Sequence, residues 1–110
     1  MMRELKWSAS EKKIARRAYE AALESALAGI LAEFKAKAAA AAAPAEMWAM
    51  EHYLRERRRE IDELFDYRYS QLPLVLARLI SEGYLEEAQL AGLAEDKLEI
   101  VRTHLAYMRE

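Results

Sequence analysis

The segment MWAMEHYLRERRREIDELFDYRYS, from Met47 to Ser70, decides the fold of this chain. Its apolar residues recur at intervals of three and four, which places them on one face of an α-helix. Tryptophan and arginine side chains occupy the neighbouring faces, a combination typical of protein-binding hot spots. We therefore expect this helix to form a binding surface. The apolar stripe consists of Met47, Met50, Leu54, Ile61 and Leu64 with Arg57 at the missing step, and the neighbouring faces carry Trp48, Glu51, His52, Tyr53, Arg55 and Arg58.

The preceding segment predicts another long helix. Ser8 and Glu11 form a capping-box pattern, in which each side chain bonds an otherwise unpaired backbone N–H. The alanine run that ends at Ala43 favours helix through its high propensity, and the alternative is a flexible low-complexity linker. The predicted helix carries an apolar face of Leu23, Leu27, Ile30 and Phe34, and beside it a strip of small residues, Ala18, Ala22, Ala26 and Gly29, where another helix could approach closely.

These two helices should pair as a hairpin. Pro44 is expected to start the second helix as a first-turn proline, and that helix should end near Asp66 or Tyr67. The first helix, residues 8–43, would be about 50 Å long, which is too long for one copy of the chain to cover. We therefore expect a twofold dimer through the long helices. Its predicted interface residues are Met47, Met50 and Leu54; the alternative is that they pack the second helix on the first within a monomer.

Residues 68–110 predict a small helical head. The apolar run Leu74–Ile80 indicates a short buried helix, and Gly83 follows in the position of a helix C-cap. Leu85–Leu90 should form one or two turns, and Leu93–Met108 shows helical spacing. Alternating β-branched segments are absent from the sequence. We expect one all-α domain over residues 1–110, with residues 8–67 as a hairpin stalk.

Composition restricts the classes of function. The chain has 110 residues and a net charge of -2, so no overall field attracts it to nucleic acid or an anionic membrane. It contains no cysteine, which excludes disulfides and thiolate metal sites. Neither a signal peptide nor an apolar run of roughly 20 residues is visible. We expect a cytoplasmic protein with no nucleic-acid or membrane partner.

The sequence predicts no enzyme. His52 and His104 lack a third ligand at metal-binding spacing. Glu60, Glu63 and Asp66 follow at three-residue steps, but the Glu-x-x-His pattern of di-iron bundles is absent. No phosphate-binding loop or nucleophile elbow occurs. We expect no catalytic residue, metal, cofactor or small-molecule substrate.

The arginine-rich stretch admits two interpretations. Carboxylates lie within a turn or two of each arginine, so a solvated network of ion pairs is the default and a binding patch is the alternative. The same interleaving argues against nucleic-acid binding. Trp48 also has two interpretations, as a packing residue of the dimer or as a partner anchor. The arginines are Arg55, Arg57, Arg58 and Arg59, and the carboxylates are Glu51, Glu56, Glu60, Asp62 and Glu63.

Four features carry a family resemblance: Trp48, the ERRREIDELFDYRYS segment that ends at Ser70, the corner 81–85 and the segment 92–98. Together they resemble the fluorescence recovery proteins of cyanobacteria, over residues 7–108. The resemblance implies an all-helical dimer with a hairpin and a helical head. It also implies a regulator that binds photoactivated orange carotenoid protein, detaches it from the phycobilisome and speeds its return to the inactive form. No chromophore or covalent chemistry is implied.

The resemblance extends to individual site residues. The family's interaction surface contains a tryptophan, an adjacent His-Asp pair and an arginine, and Trp48 and Arg58 resemble the first and last. In place of the pair this chain has Glu51 followed by His52, and one position turns a side chain by about 100° around the helix. The implied partner-binding residues are Trp48, Glu51, His52, Arg55 and Arg58. The alternative is a relative with the same dimer scaffold, in a bacterium without orange carotenoid protein, that binds a different protein.

Overall fold

A long helical hairpin carries the rest of the fold at one end. The computed structural model describes residues 5–109. Its four α-helices are α1 (Ala9–Ala40), α2 (Glu46–Leu64), α3 (Leu72–Ser81) and α4 (Glu95–Met108), and a 3-10 turn at Glu87–Leu90 links the last two. All regular structure between residues 5 and 109 is helical, so the predicted all-α fold is confirmed.

The first helix begins at the predicted cap. The hydroxyl of Ser8 accepts the backbone N–H of Glu11 at 3.1 Å, and the Glu11 carboxylate accepts the N–H of Ser8 at 3.0 Å. The predicted C-terminus at Ala43 is wrong, because α1 ends at Ala40 and Ala41 is extended, with φ -67° and ψ 128°.

The predicted start of α2 is also wrong. Pro44 lies in the turn between the helices, and α2 begins at Glu46. The Glu46 carboxylate reaches back and accepts the N–H of Ala43 at 2.9 Å and that of Ala42. These bonds stabilise the turn, together with the backbone bond from the N–H of Glu46 to Ala43 O at 3.0 Å, and they lower the pKa of Glu46.

The second helix ends earlier than predicted. Its last residue is Leu64, whereas the sequence placed the end near Asp66 or Tyr67. Phe65 is extended, with φ -96° and ψ 93°. After this turn the rings of Phe65 and Tyr67 pack edge-on against the buried ring of Tyr19. Their ring centres lie 5.3 and 4.8 Å from the centre of the Tyr19 ring, respectively. Aromatic packing against α1 therefore replaces the last helical turn.

The core lies where small residues of α1 meet the C-terminal helices. Of the predicted strip of small residues, Ala18, Ala22 and Ala26 are buried and Gly29 is exposed. Because the first half of α1 contributes to this core, the head is built from both ends of the chain; the boundary at residues 67 and 68 stays a prediction. The central core side chains are Ala15, Ala18, Ala22, Leu72, Leu76, Leu79, Leu90, Val101 and Leu105.

Element boundaries in the head differ slightly from those predicted. α3 begins two residues before the predicted Leu74, and α4 begins at Glu95 instead of Leu93. Gly83 caps α3 as predicted: its φ is +82°, its N–H reaches Ile80 O, and the N–H of Tyr84 reaches Leu79 O. This pair of bonds is a Schellman motif, which favours glycine because its central position needs a positive φ.

A buried ion pair joins the start of α1 to the start of α4. Lys97 Nζ lies 3.0 Å from Glu11 Oε2, and the two residues are only 2% and 7% exposed. Glu11 Oε2 also accepts the N–H of Ala94 at 2.9 Å. Burial alone would raise the pKa of Glu11, but the N–H groups of Ala94 and Ser8 together with the Lys97 ammonium lower it to about 2. Sequence reasoning gave Glu11 only its capping role, because the contact crosses most of the chain.

The molecule is elongated. Its principal extents are 55 × 26 × 22 Å and its radius of gyration is 17.1 Å, against about 13 Å for a compact chain of this length. None of the helices between Leu5 and Arg109 combines the length and apolar content needed to cross a membrane.

Candidate protein-interaction surface

The outer face of α2 carries the five predicted partner-binding residues. Trp48 is 69% exposed, and Glu51, His52, Arg55 and Arg58 are all exposed. Their spacing of three and four places them along one side of the helix, away from the core. We name this set the Trp48 face. An exposed tryptophan beside guanidinium groups has the composition of a protein-binding hot spot.

Ion pairs occupy three of the four neighbouring arginines. Arg55 binds Glu51 and Arg59 binds Glu56, and Arg57 Nη2 lies 2.5 Å from Glu60 Oε1. The predicted ion-pair network is therefore confirmed for these three. Among residues 5–109, no carboxylate lies within 4.0 Å of Arg58, so its guanidinium can meet an external anion.

Arg57 and Tyr53 face inward and do not join the Trp48 face. They line a cleft of about 620 Å³ between α1, α2 and the end of α3, together with Glu33 and Arg78. The Arg57 guanidinium lies 5.4 Å from the centre of the Tyr53 ring, and Lys37 Nζ lies 5.1 Å from it. Burial and the nearby Glu33 carboxylate raise the pKa of the Tyr53 phenol. The arginine inside the apolar stripe thus packs within the hairpin.

Large apolar side chains remain uncovered on both hairpin helices. Met47 and Leu54 are 55% and 40% exposed, Met50 is half-buried, and α2 has no fully buried residue. Leu27 and Leu31 of α1 are exposed in the same way. Packing within one chain therefore does not cover Met47 and Leu54, which argues against the monomer alternative for these two residues.

The described part of the chain contains no metal-binding constellation. Across residues 5–109, no three histidine or carboxylate side chains come close enough together to hold a metal ion. His52 is on the Trp48 face, and His104 lines a separate shallow groove on α4.

Comparison with known proteins agrees with this architecture. The sequence profile of the photoprotection regulator fluorescence recovery protein matches residues 7–106. The fluorescence recovery protein of Synechocystis is 33% identical over 94 residues, which cover 86% of each chain.

The chain belongs to the fluorescence recovery protein family.

Solved structures of fluorescence recovery proteins share the fold. The Fremyella diplosiphon protein superimposes with a TM-score of 0.85 at 32% identity, covering 94% of this chain and 100% of its own. The Synechocystis protein gives the same TM-score at 31% identity, covering 93% and 99%. The predicted family is therefore confirmed, and the chain is a member of a family of photoprotection regulators.

Proposed function

We propose that this protein is a non-enzymatic, cytoplasmic regulator that binds photoactivated orange carotenoid protein as a homodimer and accelerates its return to the inactive form. Membership of the fluorescence recovery protein family across residues 7–106 is the observation that carries this proposal. The exposed Trp48 face and the uncovered apolar residues of the hairpin support it on physical grounds.

The dimer follows from the uncovered apolar area of the hairpin. Met47 and Leu54 on α2 and Leu31 on α1 leave large apolar surfaces in water. A twofold axis places the same residues of two copies against each other, so one interface covers both sets. Burying apolar area stabilises an assembly by about 25 cal/mol per Å². Met47, Met50 and Leu54 are the proposed dimer contacts.

The partner docks on the Trp48 face. Trp48 offers a large apolar anchor, and Arg58 offers guanidinium donors that no carboxylate of residues 5–109 occupies. Glu51 is already paired with Arg55, so that pair fixes one side of the site, while His52 is exposed on the other side. The five residues thus combine one anchor, one uncommitted cation and a preformed ion pair.

To accelerate the partner's return to its inactive form, this protein must bind some conformations of the partner more tightly than others. A ligand shifts an equilibrium only through its different affinities for the two states. It speeds the change only by lowering the barrier, and each factor of ten in rate corresponds to about 1.4 kcal/mol. We propose that the Trp48 face binds the partner most tightly as it approaches the inactive form.

A relaxation assay tests this function. Purified chain is mixed in excess with photoactivated orange carotenoid protein, and the red-to-orange relaxation is timed in the dark. We expect acceleration by the natural chain and by Tyr107→Ala, which removes an exposed aromatic ring from α4, and little acceleration by Trp48→Ala. An unchanged rate with the natural chain rejects the proposal and leaves a different protein as the partner.

Light scattering tests the dimer separately. The chain has a mass of 12.7 kDa, and we expect a solution mass twice that value at low micromolar concentration. A single-subunit mass would reject the dimer, whatever the relaxation assay shows.

A further inference from the structure

A cluster of basic residues lies on the exposed side of the first turns of α1. Lys12, Lys13, Arg16 and Arg17 follow one another at intervals that keep them within one face of the helix, opposite the buried Ala15 and Glu11. We name these four residues the basic patch. The Trp48 face begins beyond the hairpin turn, at the other end of α1, so the two surfaces are separate.

The basic patch is poorly neutralised. The chain as a whole has 19 acidic and 17 basic residues, yet the only carboxylate within 4.0 Å of the patch among residues 5–109 is Glu20, at 3.9 Å from Arg16. In contrast, three of the four arginines of α2 are paired with carboxylates. An uncompensated cluster of like charges raises the local potential and attracts anions.

Aromatic rings hold two of the patch side chains in place. The Arg16 guanidinium lies 3.9 Å from the centre of the Tyr67 ring, and Lys12 Nζ lies 5.3 Å from the centre of the Tyr69 ring. Tyr67 packs edge-on against the buried Tyr19, with ring centres 4.8 Å apart, and the more exposed Tyr69 ring packs against Tyr67 at 5.6 Å. Cation–π contact fixes a charged group without using all of its N–H donors, which lowers the entropy lost when an anion binds.

The basic patch and the rings of Tyr67 and Tyr69 line a groove that is open to solvent. Its volume is about 460 Å³, and it is lined by the four basic residues, Glu20, Tyr67 and Tyr69. Carboxylate groups can bond the guanidinium and ammonium donors there, and apolar parts of the same ligand can cover the rings. The groove therefore suits a flexible segment that carries several carboxylates.

We propose that the basic patch docks a carboxylate-rich protein segment, independently of whatever occupies the Trp48 face. Nucleic acid is less suitable, because a protein that binds duplex DNA can make about 6–10 phosphate contacts, more than the four cations of one patch supply. Glu20 and Glu24 continue the same side of α1 and would repel a longer polyanion. A short acidic protein segment makes few contacts and can bond the four cations without extending along α1 past Glu20.

A peptide-binding experiment tests the patch. The probe is a fluorescein-labelled oligoglutamate peptide, and its binding to the full-length chain is followed by fluorescence polarisation. The patch variant is Lys13→Gln with Arg17→Gln, and the matched control is Lys35→Gln with Arg59→Gln, which removes the same charge from exposed positions elsewhere. Circular dichroism confirms that both variants are folded.

We expect the patch variant to weaken peptide binding about fivefold, the size of two exposed ion pairs, and the control to leave it unchanged. Binding should also weaken as salt rises from about 20 to about 200 mM, because exposed charges are screened. Equal losses in both variants, or no saturable binding at low salt, would overturn the proposal. Tighter binding of a single-stranded oligonucleotide than of the peptide would overturn the choice of a protein ligand.

Discussion

Replacing Glu11 with glutamine should destabilise the fold by about 3 kcal/mol at neutral pH. The substitution keeps the side-chain volume but removes the nearer countercharge of the Lys97 ammonium, which is only 2% exposed, and leaves it the exposed Asp96 carboxylate at 3.6 Å. Breaking a buried ion pair from one side commonly costs about this much, because the remaining charge stays desolvated. The Glu11 pKa gives a second measure: its lowering from 4.5 to about 2 corresponds to about 3 kcal/mol of stability.

The same pKa sets the pH window of the effect. Glu11 holds its proton less tightly in the folded chain than in the unfolded chain, so its contribution is fully present above pH 4.5 and is lost as pH falls toward 2. As pH falls through this window, the free energy of unfolding of the natural chain should therefore approach that of the Glu11→Gln variant. The free-energy difference between the two should shrink from about 3 kcal/mol at neutral pH toward zero near pH 2.

Urea unfolding followed by far-ultraviolet circular dichroism measures this difference. All chains are compared at one protein concentration, because the proposed dimer would make stability depend on concentration. Glu95→Gln is the matched control: it removes the partner of Arg102 from an exposed pair at 2.9 Å, and we expect a loss below about 1 kcal/mol. A Glu11→Gln loss below about 1 kcal/mol at neutral pH, or a difference that does not change on acidification, would refute the reasoning.

Four further substitutions have defined outcomes. Met47→Glu should weaken or split the dimer by placing a carboxylate in an apolar interface, and light scattering that shows an unchanged dimer at low micromolar concentration would contradict that contact. Arg58→Leu should reduce partner binding while helicity and dimer mass stay intact; a large loss of thermal stability would instead assign Arg58 a structural role. Gly83→Ala should destabilise the chain by about 1–2 kcal/mol in urea unfolding because its φ is +82°. Gly92→Ala should also destabilise it by about 1–2 kcal/mol, because its φ is +104° and the end of the Ile14 side chain must move away from the added Cβ, and an unchanged urea midpoint would contradict this.

Local signals in the sequence were sufficient where the physics is local. The capping box at Ser8 and the glycine cap at Gly83 each depend on residues within a few positions, and both formed as predicted. The start and the end of α2 were misplaced because individual side-chain contacts decide them, and helical periodicity does not show such contacts. The Glu46 carboxylate caps the turn around Pro44, and Phe65 leaves the helix to pack on Tyr19.

The candidate surface was also only partly visible in the sequence. Helical spacing placed Trp48 and Arg58 on an outer face, and both are exposed. The same spacing could not show that Arg57 turns into the cleft between the helices or that Arg58 lacks an internal carboxylate partner. Which of several neighbouring carboxylates an arginine pairs with depends on side-chain geometry, and a spacing of three or four permits more than one choice.

The sequence by itself determined the all-helical class, the hairpin and the family, because apolar periodicity and a few capping residues specify helices through short-range contacts. The tertiary structure alone decided which stripe of α1 is buried: the small alanines pack against the head, and Leu27 and Leu31 remain exposed. It also paired Glu11 with Lys97 and set the basic patch on its aromatic rings. These contacts join residues that are far apart in the chain, and only the packing of the helices determines which distant side chains meet.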